Sequence, residues 1–183
     1  MKEVYIVGGP NGAGKTTFVT KYLPRYLNIH NFVNADNIAL GISPLDASRM
    51  QIKAGKIMLE LLHDLQTGEK SFGFETTLAG KRWLSFIHSL KVSGYRIHIF
   101  FLNILDVELC VQRVEKRVQS GGHSIPEAVI RRRYTRAKTN FWNMYKETAD
   151  EWYLFDASSD APSLVASKHK TIDLDYMNNH WSL

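Results

Sequence analysis

The chain is predicted to be of the α/β class, a mostly parallel sheet with helices on both faces, and three observations carry that expectation. Strand-like apolar runs alternate with segments of helical periodicity along the chain. The first run, Lys2–Val7, passes straight into the glycine-rich stretch GGPNGAGKTT, residues 8–17, and from there into helix. A length of 183 residues, 44% of them apolar, is enough for a sizeable core, so residues 1–183 are read as a single domain.

Taken in order, Lys2–Val7 reads as a short buried strand and Thr16–Tyr22 as the helix after the glycine-rich loop. Asn31–Ala35 is a second strand ending at Asp36, followed by a loop through Ile42, Ser43 and Pro44. From Asp46, the residues Ala54, Ile57, Met58, Leu61, Leu62 and Leu65 recur at helical spacing until Gly68 closes the element. Ser71–Thr76 is a third strand, Lys81–Val92 a helix with Trp83, Leu84, Ile87 and Leu90 on one face, and Arg96–Leu102 a fourth strand. Asp106 can cap a helix running to Gln119. The stretch SGGHSIP breaks it, and a long helix starts at Pro126 with Ile130, Tyr134, Ala137, Phe141 and Met144 as its apolar stripe. Trp152–Phe155 is the fifth strand, and the tail adds strand material at Leu164–Ala166 and Thr171–Leu174. The expectation is a three-layer α/β/α sandwich on a five-stranded, mostly parallel sheet, with ligands beyond the carboxyl ends of the strands.

Composition narrows the classes. The single cysteine, Cys110, rules out an internal disulfide framework and fits a small core residue in a reducing cytoplasm. No stretch approaches about 18 uninterrupted apolar residues, and the N-terminus enters a strand pattern directly, which argues against membrane insertion and secretion. The net charge of +5 is uneven: residues 81–146 hold 13 basic and 4 acidic side chains, and residues 147–183 hold 2 and 7. Such a concentration suits an anionic ligand, from a nucleotide to a nucleic acid.

The chemistry is concentrated just after the strands. Gly9, the four residues Pro10, Asn11, Gly12 and Ala13, then Gly14, Lys15 and Thr16 complete a phosphate-loop pattern between strand and helix, with Thr17 following. Backbone N–H groups of such a loop converge on phosphates, Lys15 can reach the β- and γ-phosphates, and the Thr16 hydroxyl can ligate Mg²⁺. Asp36, at the end of strand two in VNAD, is a candidate general base for an attacking hydroxyl or a water-mediated Mg²⁺ ligand, the alternative being a helix cap. Glu75, inside FGFETTL, is too expensive to bury unpaired. It either holds a substrate hydroxyl or Mg²⁺, or pairs with Lys81 or Arg82, with Thr76 and Thr77 adding hydroxyls.

Arg113 and Arg117 share a helix face, and Arg117 stands before the glycine break. On the next helix Arg133, Arg136 and Asn140 cluster on one flank of the stripe, Arg131 and Lys138 take the other, and Arg132 points to solvent. Arginine forks stabilise the charge of a moving phosphoryl group, so the region 113–140 reads as an arginine-bearing lid with glycines at its hinge, using Arg117 and Arg133 or Arg131. His123 either contacts ligand or caps a turn. The loop DASSDAP either lies against a base or is an ordinary turn. There is no guanine-reading NKxD pattern, and no apolar run ending in Asp–Glu as in motor and transporter ATPases. The residues therefore read best as a kinase of a small hydroxyl-bearing molecule. A polynucleotide 5′-hydroxyl kinase and a non-catalytic ATP-binding switch are the alternatives, although the basic segment lacks the interleaved aromatics that stack on single strands.

Together GGPNGAGKTT, VNAD, FETTL, the RVEKRV helix and GGHSIPEAVIRRRYTRAKTNF resemble the zeta-toxin family of P-loop kinases, in particular its compact, predicted-ATPase-like branch. The resemblance spans residues 3 to about 158. It implies a nucleotide-kinase type of P-loop core and ATP and Mg²⁺ as cofactors, held by Lys15 and Thr16. It also implies Asp36 as catalytic base, Glu75 as substrate contact, and arginines of the Arg117 and Arg131–Arg133 segments as transition-state clamps. Larger members phosphorylate the sugar of UDP-N-acetylglucosamine and are neutralised by a small helical antitoxin, which makes a nucleotide sugar and such a partner the corresponding expectations here.

Overall fold

The computed structural model describes every residue except Tyr26, Asn28, His123, Ser182 and Leu183. At its centre is β1 (Lys2–Gly8), whose Val4, Tyr5, Ile6 and Val7 are all buried. A strand apolar on successive residues must be covered on both faces, which places it inside a parallel sheet. It pairs in parallel with β3 (Phe72–Thr76) on one side and β4 (Tyr95–Asn103) on the other. The two-residue β2 (Phe32–Val33) lies outside β3, and β5 (Glu151–Asp156) lies outside β4, both again parallel. The tail adds β6 (Ser163–Ser167) and β7 (Lys170–Thr171) antiparallel at that edge, so the order is β2-β3-β1-β4-β5-β6-β7. Five parallel strands are as expected, and the tail carries the same sheet to seven.

Helices cover both faces. Against one, α3 (Gln51–Thr67) and α4 (Arg82–Val92) bring Met58, Leu62, Trp83, Ile87 and Leu90 onto Val4, Ile6, Phe72, Phe74, Ile97 and Phe101. Against the other lie α1 (Lys15–Thr17), its continuation Phe18–Tyr22, and α5 (Val107–Gln119), packing Phe18, Cys110, Val111 and Val114 on Val7 and Leu102. Asp106 caps α5 as expected, its carboxylate accepting from the Glu108 N–H at 2.9 Å. α6 (Glu127–Asn140) reaches both clusters, through Ile130 in the second and Ala137 in the first. Pro126 is its N-cap residue.

Three local expectations are corrected. The loop expected after Asp36 is instead α2 (Ala35–Ile42), started by the Asn34 side chain, which accepts from the N–H groups of Asp36 at 2.7 Å and Asn37 at 3.3 Å. The stripe of α6 runs into a π-turn at Phe141–Tyr145, followed by α7 (Lys146–Thr148). The wider turn brings Tyr145 rather than Met144 into the core, where its hydroxyl bonds the Gly80 carbonyl. Of the strand expected at Thr171–Leu174 only Thr171 is extended, in β7, because Asp173 caps α8 (Leu174–His180) by accepting from the Tyr176 N–H at 2.8 Å. Among the described residues no helix is long and apolar enough to cross a membrane.

His98 of β4 stacks on Tyr5 at 4.8 Å between ring centres, 3.4 Å from the Glu3 carboxylate. Burial holds its pKa below the ordinary value, with Glu3 opposing. Below about pH 6.5 the unfolded chain therefore takes up a proton that the folded one resists. His98 thus contributes full stability above that pH and less as the pH falls through the window beneath it. Urea midpoints of the parent and His98→Gln, followed from pH 7.5 to 5.5, should show a steeper fall in the parent. Separately, Asn34→Ala should cost about 1 kcal/mol in chemical denaturation by removing the α2 cap.

Candidate active site

Three strand ends meet here. β1 runs out beside β3, with Val7 opposite Glu75 and Gly8 opposite Thr76. One strand further out, β2 gives way to the Asn34 cap, which sets Asp36 in the first turn of α2. The phosphate loop lies between β1 and α1, closed by an Ala13 N–H to Pro10 carbonyl bond of 3.2 Å. Gly14 has φ +77°, a left-handed conformation, and a side chain placed there would meet nothing within 4 Å. Glycine is thus demanded by the backbone, and the space before it is open.

Lys15 is only 9% exposed, and its ammonium donates to the Pro10 carbonyl at 2.9 Å. Burial pushes its pKa down, against the pull of Glu75 and Asp36. The Thr16 hydroxyl donates to the Glu75 carboxylate, 3.1 Å from one oxygen and 3.3 Å from the other. Burial raises the Glu75 pKa, while Lys15 and the Thr16 bond pull it back. Cys110 is buried, with its thiol pushed up to about 12 by burial, which suits packing rather than reactivity.

Two cavities open from this loop. The first, about 620 Å³, is lined by Gly12–Phe18, Lys21, Tyr22, Arg117 and the 157–162 loop. The second, about 880 Å³, is lined by Asn34, Thr76, Thr77, Arg82, Trp83 and Arg133, with Gln51, Met58 and the 124–126 segment. Asn11, Lys15, Asp36 and Glu75 line both. They form a seam common to the walls of the two cavities.

The arginines divide between the cavities. Arg117 lines the first, and its charge bears on Lys15 and Glu75. Arg133 lines the second, where its guanidinium donates to the Asn11 side chain at 3.3 Å. Arg131 is brought to neither cavity. It is held bidentate by Glu108 of α5 at 2.5 and 2.8 Å and by Glu127 at 2.7 Å, which links α5 to α6. Arg132 is exposed, as expected. Asn140, expected on the cationic flank, is buried and donates to the Leu78 carbonyl at 3.0 Å.

The glycines between α5 and α6 end a helix. Gly121, at φ +88°, donates to Val118, and Gly122 donates to the Arg117 carbonyl at 2.9 Å. That pairing is a Schellman cap, which ends α5 and fixes the backbone of Arg117. His123 lies outside the described residues. Arg113 donates to the carbonyls of Ala157, Ser158 and Ser159 at 2.8, 2.9 and 3.4 Å, which makes DASSDAP a wall of the first cavity.

Sequence reasoning missed Gln51 and Met58, took Trp83 only for core, and gave Arg82 only as a partner for Glu75. Glu75 instead faces Thr16, and Arg82 lies over the Trp83 ring at 4.9 Å. Their helical spacing marked Met58 and Trp83 as inward-facing, but nothing in it announced a cavity. Among the described residues there is no group of three His, Cys, Asp or Glu that could cage a metal. Thr16 beside Glu75 does fit Mg²⁺, which keeps waters and takes few protein ligands in phosphate sites.

The pattern of the AAA domain family matches residues 4–139. A Haemophilus influenzae protein described as uncharacterized is 31% identical over 129 residues, 69% of this chain and 88% of that one. The fold is similar to that in the AvrRxo1-ORF1:AvrRxo1-ORF2 structures, determined with sulphate ions and with ATP. The TM-score is 0.78 at 14% identity, and the match spans 98% of this chain and 63% of that one. It is also similar to a structure of the PezAT chromosomal toxin-antitoxin system of Streptococcus pneumoniae. There the TM-score is 0.72 at 16% identity, spanning 98% of this chain and 78% of that one. At these identities the likeness is one of fold, and at that level it bears out the resemblance to zeta-toxin P-loop kinases.

Because Arg131 serves an exposed ion-pair link, Arg131→Ala should leave nucleotide affinity within about twofold of the parent in a fluorescence titration.

Proposed function

The chain belongs to the AAA domain family, and on that premise we propose that it is an ATP-dependent kinase, with 1–183 as the kinase domain and 113–140 as its lid. It transfers the γ-phosphate to a hydroxyl of a small acceptor, a nucleotide sugar or related metabolite. The observation that carries the reading is the pair of cavities sharing Asn11, Lys15, Asp36 and Glu75. A protein that only binds nucleotide has no use for a second cavity opening onto the same lysine and carboxylates.

In this reading ATP occupies the first cavity. The amides of the 9–17 loop and Lys15 hold the β- and γ-phosphates, with Lys15 exchanging the Pro10 carbonyl for a phosphate oxygen. Thr16, supported by Glu75, holds Mg²⁺, which supplies charge neutralisation at the phosphates. Asp36 accepts the proton of the acceptor hydroxyl as its oxygen bonds to the γ-phosphorus, and the bond from that phosphorus to the bridging oxygen of ADP breaks. Arg117 and Arg133 approach from the two sides and stabilise the charge on the moving group. A small helical antitoxin is the partner that the toxin-like fold suggests.

Asp36→Asn is the decisive variant. Transfer, read as acceptor-dependent ADP release, should fall by about 10²–10⁴ with ATP affinity retained. Unchanged turnover would falsify the mechanism and leave the nucleotide-binding switch.

A further inference from the structure

Four side chains line both cavities, and the transfer described above employs three of them, Lys15, Asp36 and Glu75. The fourth is Asn11. Phosphate binding does not ask for its side chain, because a loop of this kind holds phosphates through backbone N–H groups. Backbone shape does not ask for it either: among the described residues other than glycine, only Glu69 and Leu78 have positive φ. Yet Asn11 is only 9% exposed, and a buried amide costs free energy unless it is hydrogen-bonded. Its partner lies 122 positions along the chain in Arg133, whose guanidinium donates to Asn11 Oδ1 at 3.3 Å. A guanidinium can only donate, so the amide must turn its oxygen that way. Nδ2 is not among the buried atoms left without a partner, so it reaches the open cavities, where solvent can answer it.

Arg133 is the side of this pair that needs holding. Burial weighs most against its charge and Arg132 adds to this, while Asp36 supports it ahead of the opposing Arg82. A long side chain has many rotamers, and one fixed acceptor selects among them. We infer that Asn11 is a positioning residue: its Oδ1 holds the Arg133 guanidinium at the seam, where the γ-phosphoryl group passes from ATP to the acceptor. This rests on the kinase reading and deepens it, by naming what aligns the arginine of the second cavity with the loop of the first. Asn11 forms no bond and moves no proton in the transfer; it acts through Arg133.

The test is a double-mutant cycle on ADP release at saturating ATP and Mg²⁺, with UDP-N-acetylglucosamine as acceptor and with water alone. Asn11→Ala should lower kcat about tenfold or more, while ATP affinity, titrated by fluorescence, stays within about threefold of the parent. The retained affinity also shows that the loop is intact. In an Arg133→Ala background the same change should cost less than about twofold, because the arginine it aligns is gone. An equal loss in both backgrounds, or no loss in the parent, overturns the inference and leaves the kinase reading standing. If Asn11→Ala no longer binds ATP, Asn11→Ser takes its place under the same thresholds. If the parent releases no ADP with either acceptor, the kinase reading fails, and the positioning is decided by calorimetry. Aluminium fluoride, which stands in for a phosphoryl group in flight, is then titrated into protein saturated with ADP and Mg²⁺. Binding weakened about tenfold or more by Asn11→Ala, but not in the Arg133→Ala background, sustains the positioning, and equal binding removes it.

Discussion

A buried ammonium has to be answered by opposite charge, and much of this site is arranged around that requirement at Lys15. Its side chain is buried beneath the loop that carries it, which weakens its charge, and Glu75 and Asp36 restore it. Glu75 comes from the end of β3 and Asp36 from the first turn of α2, just beyond β2, so the answer exists only because the sheet sets the ends of β2, β3 and β1 side by side. The register of β1 on β3 is the critical element, since Val7 opposite Glu75 places the acid next to the loop that Val7 leads into. Slipping that pairing by one residue would turn Glu75 to the other face of the sheet.

The segment after Glu75 is held under constraint. Leu78 is fully buried at φ +54°, a conformation that a branched side chain adopts only when its surroundings enforce it. The enforcement comes from the far end of α6. Asn140 donates to the Leu78 carbonyl and Tyr145 to that of Gly80, while the Leu78 side chain fills the space beside Gly8. The helix that brings Arg133 to the second cavity therefore also pins the loop that follows Thr76 and carries Thr77.

How much of this the sequence displayed follows from the range of each interaction. The phosphate loop, the cap at Asp106 and the five parallel strands depend on local chemistry or periodicity and could be read directly. Asp36 and Glu75 were legible because strand ends are where such sheets collect ligands. The α2 helix escaped because its starting signal is one asparagine, Asn34, inside a stretch that also reads as strand. The fates of the arginines were not legible, because spacing on a helix says which side chains share a face and not what that face meets. Arg131 and Arg133 are two residues apart, yet one meets Glu108 and the other Asn11. Likewise the glycines before α6 read as a hinge in the sequence, and their part in capping α5 shows only in the structure.

The shared seam has a consequence for affinity. A ligand in either cavity changes the electrostatic surroundings of Lys15, Asp36 and Glu75, and those residues face the other cavity as well. On the kinase reading, occupancy on one side alters binding on the other, and linkage makes the effect equal in both directions. Each ligand is thereby, on that reading, an effector of its neighbour, through the four side chains that both cavities share.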